Sequence, residues 1–162
     1  MVEVLPTDVP EKLDLPTGPK GIGGWLILVA IGQVLGPLRA LGELGKGYSG
    51  AEMEEAFRTI PVTMYGALTI DVLYIVLIFG TSVAFFMRRQ IFKWLFTWEI
   101  FGITLSYFLA LTWVSATTNL SISKLVESNG PDAVKTIAST LAGLIWVAYV
   151  WRSQRVQNTF VR

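Results

Sequence analysis

Asp71 has the greatest potential for chemistry in this chain, because it stands inside a long apolar segment, residues 62–87. If the segment is helical, Asp71 lies about nine residues, or roughly 14 Å, from the nearer end. A carboxylate at that depth in a membrane costs about 2.5–3.5 kcal/mol on insertion scales, so it needs a polar partner or a function. Gln33 lies at a similar depth in the first apolar segment, and Arg39 has a side chain long enough to reach inward. The pattern predicts an Arg39–Asp71–Gln33 cluster, which either fixes two helices together or handles protons or cations.

Glu99 is the second carboxylate inside an apolar segment, about two helical turns from one end of residues 94–116. Gly102, Ser106 and Ala110 follow it at helical spacing and form a small and polar face. Such a face either lines a polar cavity or seats a neighbouring helix, and the second interpretation is favoured. Together with Asp71, Glu99 is a candidate residue of an ion or solute pathway.

The composition of the chain excludes the chemistry of cysteine and histidine, and its motifs and charge give no case for nucleotide or nucleic-acid binding. It has no Cys and no His, which rules out disulfides, thiolate or imidazole metal sites and histidine general bases. The glycine-rich run 21–24 precedes an apolar helix and follows no strand, so it is not a nucleotide fingerprint. The net charge of +1 gives no case for nucleic-acid binding. We therefore expect no catalytic residues, no metal and no cofactor, and a protein that is not an enzyme.

The elements that must position these residues are four apolar segments, in a chain that is 52% hydrophobic. They cover about residues 22–42, 62–87, 94–116 and 133–151. Each is close to the roughly 20 residues that a helix needs to cross a hydrocarbon core of about 30 Å. The predicted fold is therefore all-α: a polytopic membrane protein with a four-transmembrane-helix bundle.

The remaining chain divides into short connecting parts. A Pro-rich leader is expected at 1–20, the transmembrane domain at 21–152 and a polar tail at 153–162. The first loop contains a Ser49-x-x-Glu52 capping-box pattern and the third has Ile122, Leu125 and Val126 at helical spacing. Both loops are thus predicted to carry a short surface helix.

The distribution of Lys and Arg predicts the orientation. The loop between the second and third spans carries Arg88, Arg89 and Lys93 with no acid, and the C-terminal segment is also basic. The positive-inside rule then places both termini in the cytoplasm. These three side chains are also candidate contacts for anionic lipid head groups, or they act only as topology determinants.

Three stretches resemble the signatures of a bacterial family of uncharacterised four-span inner-membrane proteins. They are 21–28 (GIGGWLIL, continuing to Gly36-Pro37-Leu38-Arg39), 85–89 (FFMRR, with Phe92) and 153–161 (SQRVQNTFV). The chain departs from the expected pattern at Lys93, where a proline is expected. The resemblance implies the four-span fold and the bacterial inner membrane, and it implies no activity.

Two functions follow from these observations. The first is an accessory or assembly partner of a membrane complex, or a homo-oligomer, since small residues line faces of three spans. Examples are Gly32 and Gly36 in the first span and Ser139, Ala142 and Gly143 in the fourth. The alternative is a small ion or solute transporter or channel that uses the two intramembrane carboxylates. The expected partners are the lipid bilayer and another membrane protein or a second copy, with no nucleic acid.

Overall fold

The computed structural model of the protein describes residues 18–161. Its elements are α1 (Leu26–Gly47), α2 (Ala51–Thr59), α3 (Pro61–Phe86), α4 (Phe92–Thr118), α5 (Ile122–Ser128), α6 (Gly130–Arg152) and α7 (Gln154–Thr159). Four of them, α1, α3, α4 and α6, are long and apolar enough to cross a membrane. The all-α prediction with four spans is therefore confirmed, and the chain is an integral membrane protein. The predicted leader, up to residue 17, lies outside the described residues.

Glycine and proline account for two helix starts that differ from the prediction. Helix α1 begins at Leu26 rather than residue 22, because Gly21 and Gly24 have φ angles of +86° and +56°, outside the right-handed helical region. Helix α6 begins at Gly130 rather than residue 133, with Pro131 in its first turn. A proline is tolerated there because its missing N–H has no intrahelical partner to lose.

Both predicted short helices are present, as α2 and α5, but the predicted capping box of α2 is wrong. Gly50, with φ +107°, is the N-cap residue, and the Ser49 hydroxyl donates to the Lys46 carbonyl. Helix α5 has the expected kind of cap: the Ser121 side chain accepts a hydrogen bond from the Lys124 backbone N–H.

The long helices pack in the order α1, α3, α4, α6, with α3 and α4 in the middle. Three glycines allow close approach. A methyl group on Gly66 of α3 would overlap the Trp113 ring of α4, and one on Gly102 of α4 would press on the Tyr74 ring of α3. One on Gly143 of α6 would press on Ile100 of α4. The small residues of α4 and α6 are thus partly used inside the chain.

Large apolar side chains cover the outer faces of the long helices. Leu73 and Val76 on α3, Leu105 on α4 and Ile145 on α6 are each at least 59% exposed. In water such surfaces would drive association, whereas lipid tails are as apolar as they are. The exposed faces therefore fit a protein whose long helices are solvated by lipid.

The tail predicted to be polar is instead folded back across one end of the molecule over its described part, residues 153–161. Val156 and Phe160 of this segment are buried, and the Phe160 ring stacks on Phe92 with centroids 4.7 Å apart. The same aromatic cluster includes Phe85, whose centroid lies 5.4 Å from that of Phe160. Residues 156, 159 and 160 form one helical face, which is the sequence signal for this burial.

Two hydrogen bonds attach the same segment to the neighbouring turns. The Gly21 backbone N–H donates to Thr159 Oγ1 at 2.9 Å, and Gln90 Nε2 donates to the Val161 carbonyl at 3.0 Å. The packed end therefore joins the chain before α1, the α3–α4 turn and α7. We call it the closed end.

Candidate functional site

The opposite end of the molecule, which carries α2 and α5, contains a cavity of about 620 Å³. All four long helices contribute to its wall. The polar groups include Glu43 from α1, Asp71 and Tyr74 from α3, Ser106 from α4 and Lys135 from α6. A wall with charges and hydroxyls between apolar helices is typical of a water-accessible site rather than of a packed core.

Asp71 lies in this cavity and accepts a hydrogen bond from a tyrosine. The Tyr48 hydroxyl, just beyond the end of α1, donates to Asp71 Oδ2 at 2.7 Å. Burial, followed by the hydrogen bond to the Asp71 carboxylate and its charge, raises the pKa of Tyr48 above its usual range. Tyr48 therefore stays a neutral donor, and it was not anticipated from the sequence because it lies outside the apolar segment.

Arg39 lines the same cavity but has a different partner. Its Nε lies 2.8 Å from Glu43 Oε1, one helical turn away, and both side chains are well exposed. The predicted Arg39–Asp71 ion pair is therefore not formed. An i,i+4 partner is a neighbour on the same helix face, whereas Asp71 must be reached across a helix interface.

Gln33 and Glu99 form a second polar group deeper in the protein. Gln33 is only 3% exposed, and its Nε2 donates to Glu99 Oε2 at 3.3 Å. The buried Ser82 hydroxyl lies 2.9 Å from the Gln33 backbone carbonyl, 3.1 Å from Gln33 Oε1 and 3.0 Å from the Ile78 carbonyl, and it donates its one hydrogen bond among these acceptors. The predicted cluster of four residues is thus divided: Asp71 stays with Tyr48, and Gln33 joins Glu99 and Ser82.

Tyr74 lies between these two polar groups. It lines the cavity, its hydroxyl donates to the Glu99 backbone carbonyl at 3.3 Å, and its ring rests on Gly102. The face of α4 that begins at Glu99 therefore serves both predicted purposes: Gly102 seats the tyrosine, and Ser106 lines the cavity.

The cationic residues Arg88, Arg89 and Lys93 lie at the closed end, away from the cavity. Arg88 and Arg89 are exposed in the α3–α4 turn, and Lys93 Nζ lies 5.6 Å from the Trp151 ring centroid. Lys93 is in the first turn of α4, where a proline is also tolerated, so the departure from the family pattern is compatible with the same turn. Contact of these cations with lipid head groups stays a prediction.

No three residues of the metal-binding types Asp, Glu, His and Cys come together within residues 18–161. The carboxylates of the cavity are therefore not arranged as a ligand set for a bound metal ion.

The three stretches that carry the family resemblance meet at the closed end. Residue 21 bonds to residue 159, the Arg155 guanidinium lies beside Gly23, and Phe85 and Phe92 enclose Phe160. A family model described as "Protein of unknown function (DUF2569)" matches residues 19–161. The chain belongs to this family. No curated protein and no solved structure matches this DUF2569 chain.

Proposed function

We propose that the protein is a small carrier that takes up a polar solute or ion into the cavity from the side of α2 and α5. The main support is the cavity, which places Asp71 in a space between the four spans whose wall contains several polar groups. We further propose that the protein resides in the bacterial inner membrane with both termini in the cytoplasm. No residue is assigned a catalytic role.

The energetics of Asp71 support this proposal. An ionised carboxylate within a span is costly unless it is paired or hydrated, and Asp71 has no cation within 4 Å among the described residues. One tyrosine hydroxyl satisfies only part of the hydrogen-bonding capacity of a carboxylate. The remaining capacity is available to water or to a bound solute in the cavity.

The second polar group suggests a path. Glu99, Gln33 and Ser82 lie beyond Tyr74, so a solute or proton that leaves the cavity inward would meet them next. Transport would require Tyr74 to move from Gly102 and the closed end to open. The arrangement supports a carrier with access from one side at a time rather than an open channel.

A second candidate is an accessory or assembly partner of a membrane complex, or a homo-oligomer. It is favoured by an apolar groove of about 650 Å³ between α4 and α6. The groove is lined by Trp98, Phe101, Leu105, Phe108, Ile137 and Leu141. Its weakness is that Gly102 and Gly143 already seat neighbours within the chain. Co-purification of a stoichiometric partner from native membranes would support this candidate.

Flux measurements test the carrier proposal. Purified protein in lipid vesicles is assayed for proton flux with an enclosed pH dye and for monovalent cation flux with labelled rubidium. We expect wild-type flux that Asp71→Asn and Glu99→Gln abolish and that Glu52→Gln, on exposed α2, leaves unchanged. Thermal unfolding checks that each variant is folded. Absence of flux in the folded wild type, together with a stoichiometric partner, would favour the accessory role.

A further inference from the structure

We infer that the cavity selects organic cations, specifically small alkylammonium groups, through Asp71 and the tyrosine rings that line the same wall. This inference rests on the proposed function and names the class of solute that the cavity takes. Three observations carry it: the charge balance of the wall, the tyrosines of the wall and the size of the cavity.

The charged groups of the described wall leave a net charge of one carboxylate, and Asp71 has no ion-pair partner among them. The described wall has three carboxylates, on Glu43, Asp71 and Asp132, against two cations, on Arg39 and Lys135. Arg39 is held by Glu43. Asp132 and Lys135 lie three residues apart at the start of α6, on one helical face, where their charges offset each other. The net field in the cavity is therefore that of one carboxylate, which attracts a cation.

Three tyrosines line the same space from different elements: Tyr48 after α1, Tyr74 on α3 and Tyr107 on α4. Their hydroxyls are held by the protein. Tyr48 donates to Asp71, Tyr74 to the Glu99 carbonyl and Tyr107 to the Asn129 carbonyl at 3.3 Å. The rings are thereby positioned, and an ammonium group that lies over the face of such a ring is attracted by the cation–π interaction.

The size of the cavity favours an organic ion over a bare metal ion. A volume of about 620 Å³ is within the range of small-molecule pockets. The described carboxylates form no metal-ligand group, since no three of them converge. An alkylammonium ion needs one carboxylate and aromatic surface rather than a full shell of oxygen ligands, and this wall offers both.

Charge-selective labelling tests the inference without a known substrate. The chain has no cysteine, so Ser106→Cys creates a single thiol on the cavity wall. Full-length protein in open membrane fragments is treated with a trimethylammonium methanethiosulfonate or a sulfonate-bearing methanethiosulfonate. Ser49→Cys, which lies outside the wall and is exposed, is the matched control. The measured quantity is the labelling rate with the cationic reagent divided by that with the anionic reagent. We expect this ratio to be about ten-fold higher at Ser106→Cys than at the control.

The roles of Asp71 and of the tyrosine rings are tested by further substitutions in the Ser106→Cys protein. Asp71→Asn should remove the preference for the cationic reagent. Tetramethylammonium should protect Ser106→Cys from labelling, Tyr107→Leu should abolish this protection and Tyr107→Phe should retain it. Ser139→Cys, also on the wall, repeats the measurement if Ser106→Cys does not fold.

The outcomes separate this inference from the proposed function. Equal labelling by both reagents would overturn the organic-cation class while leaving a solute-accessible cavity. A cationic preference that persists in Asp71→Asn would also overturn it, because another group would then set the selectivity. Failure of both reagents to reach the cavity thiols in folded protein would overturn the inference and the proposed function together.

Discussion

At the scale of single residues, the two candidate carboxylates Asp71 and Glu99 find hydrogen-bond donors rather than cations. Asp71 is bonded by Tyr48 and Glu99 by Gln33, while Arg39 stays with Glu43. A tyrosine or amide donor is neutral, so it avoids the cost of bringing a second charge into the membrane. Each carboxylate therefore has a neutral hydrogen-bond donor and no ion-pair partner among the described residues.

A double-mutant cycle tests the Tyr48–Asp71 contact. Tyr48→Phe and Asp71→Leu should show a coupling between about 0.5 and 3 kcal/mol, because each substitution removes the same hydrogen bond. Arg39→Leu and Asp71→Leu serve as the control pair, and their losses should add to within about 0.5 kcal/mol. The measurement is the free energy of unfolding in detergent. Strong coupling in the control pair alone would mean that Arg39, not Tyr48, is the partner of Asp71.

At the scale of elements, a strained residue ends the second span. Arg88 has φ +53°, and it occupies the position of a Schellman motif that glycine usually takes. The Arg88 backbone N–H donates to the Phe85 carbonyl at 3.0 Å, and that of Arg89 donates to the Ala84 carbonyl at 2.9 Å. This tight turn directs the chain into α4 and brings Phe85 and Phe92 together under Phe160.

The effect of a substitution at Arg88 on the free energy of unfolding should depend on the backbone conformation of this residue rather than on the loss of its charge. Arg88→Gly should leave the free energy of unfolding unchanged or raise it by up to about 1 kcal/mol, because glycine has no Cβ penalty at positive φ. Arg88→Val should lower it by about 1 kcal/mol or more, since β-branched residues are outliers there.

The neighbouring position provides the control for this prediction. The φ angle of Arg89 is not positive, so Arg89→Val should be tolerated better than Arg89→Gly. Thermal unfolding of the four variants in one detergent gives the comparison. The same order of stability at both positions would show that the left-handed conformation of Arg88 does not determine the effect.

At the scale of the whole molecule, the two ends are different. The closed end holds the aromatic core and α7, and the other end holds the cavity together with α2 and α5. A carrier needs this asymmetry, because a solute site that is open at both ends would leak. Which end faces the cytoplasm decides the direction from which a solute enters.

Cysteine labelling in whole cells tests the orientation predicted from the charges. Ser49→Cys and Ser128→Cys, at the cavity end, should react with an impermeant thiol reagent in intact cells. Gln157→Cys and Gln90→Cys, at the closed end, should react only after the membrane is opened. Labelling of the closed-end cysteines in intact cells would invert the topology, and the cavity would then face the cytoplasm.

The sequence by itself determined that this protein lies in a membrane, and it determined the helices other than α7. Apolar run length is a local property, so the four spans and the helices α2 and α5 followed directly from residue order. The same is true of the candidates Asp71 and Glu99, because a carboxylate in a span is unusual wherever the helices pack. The three signature stretches also identified a family of uncharacterised membrane proteins, and the DUF2569 match bears out that coarser identification.

Tertiary structure alone decided which of these residues meet. Gln33 and Glu99 are separated by 66 positions, and their pairing depends on how α1 and α4 rotate against α3, which hydropathy does not encode. The burial of Phe160 and the choice of Tyr48 as partner for Asp71 likewise depend on contacts between distant segments. In lipid the apolar faces of a helix are nearly equivalent, so close packing at glycines and a few polar contacts fix the rotation of each helix and, with it, the site.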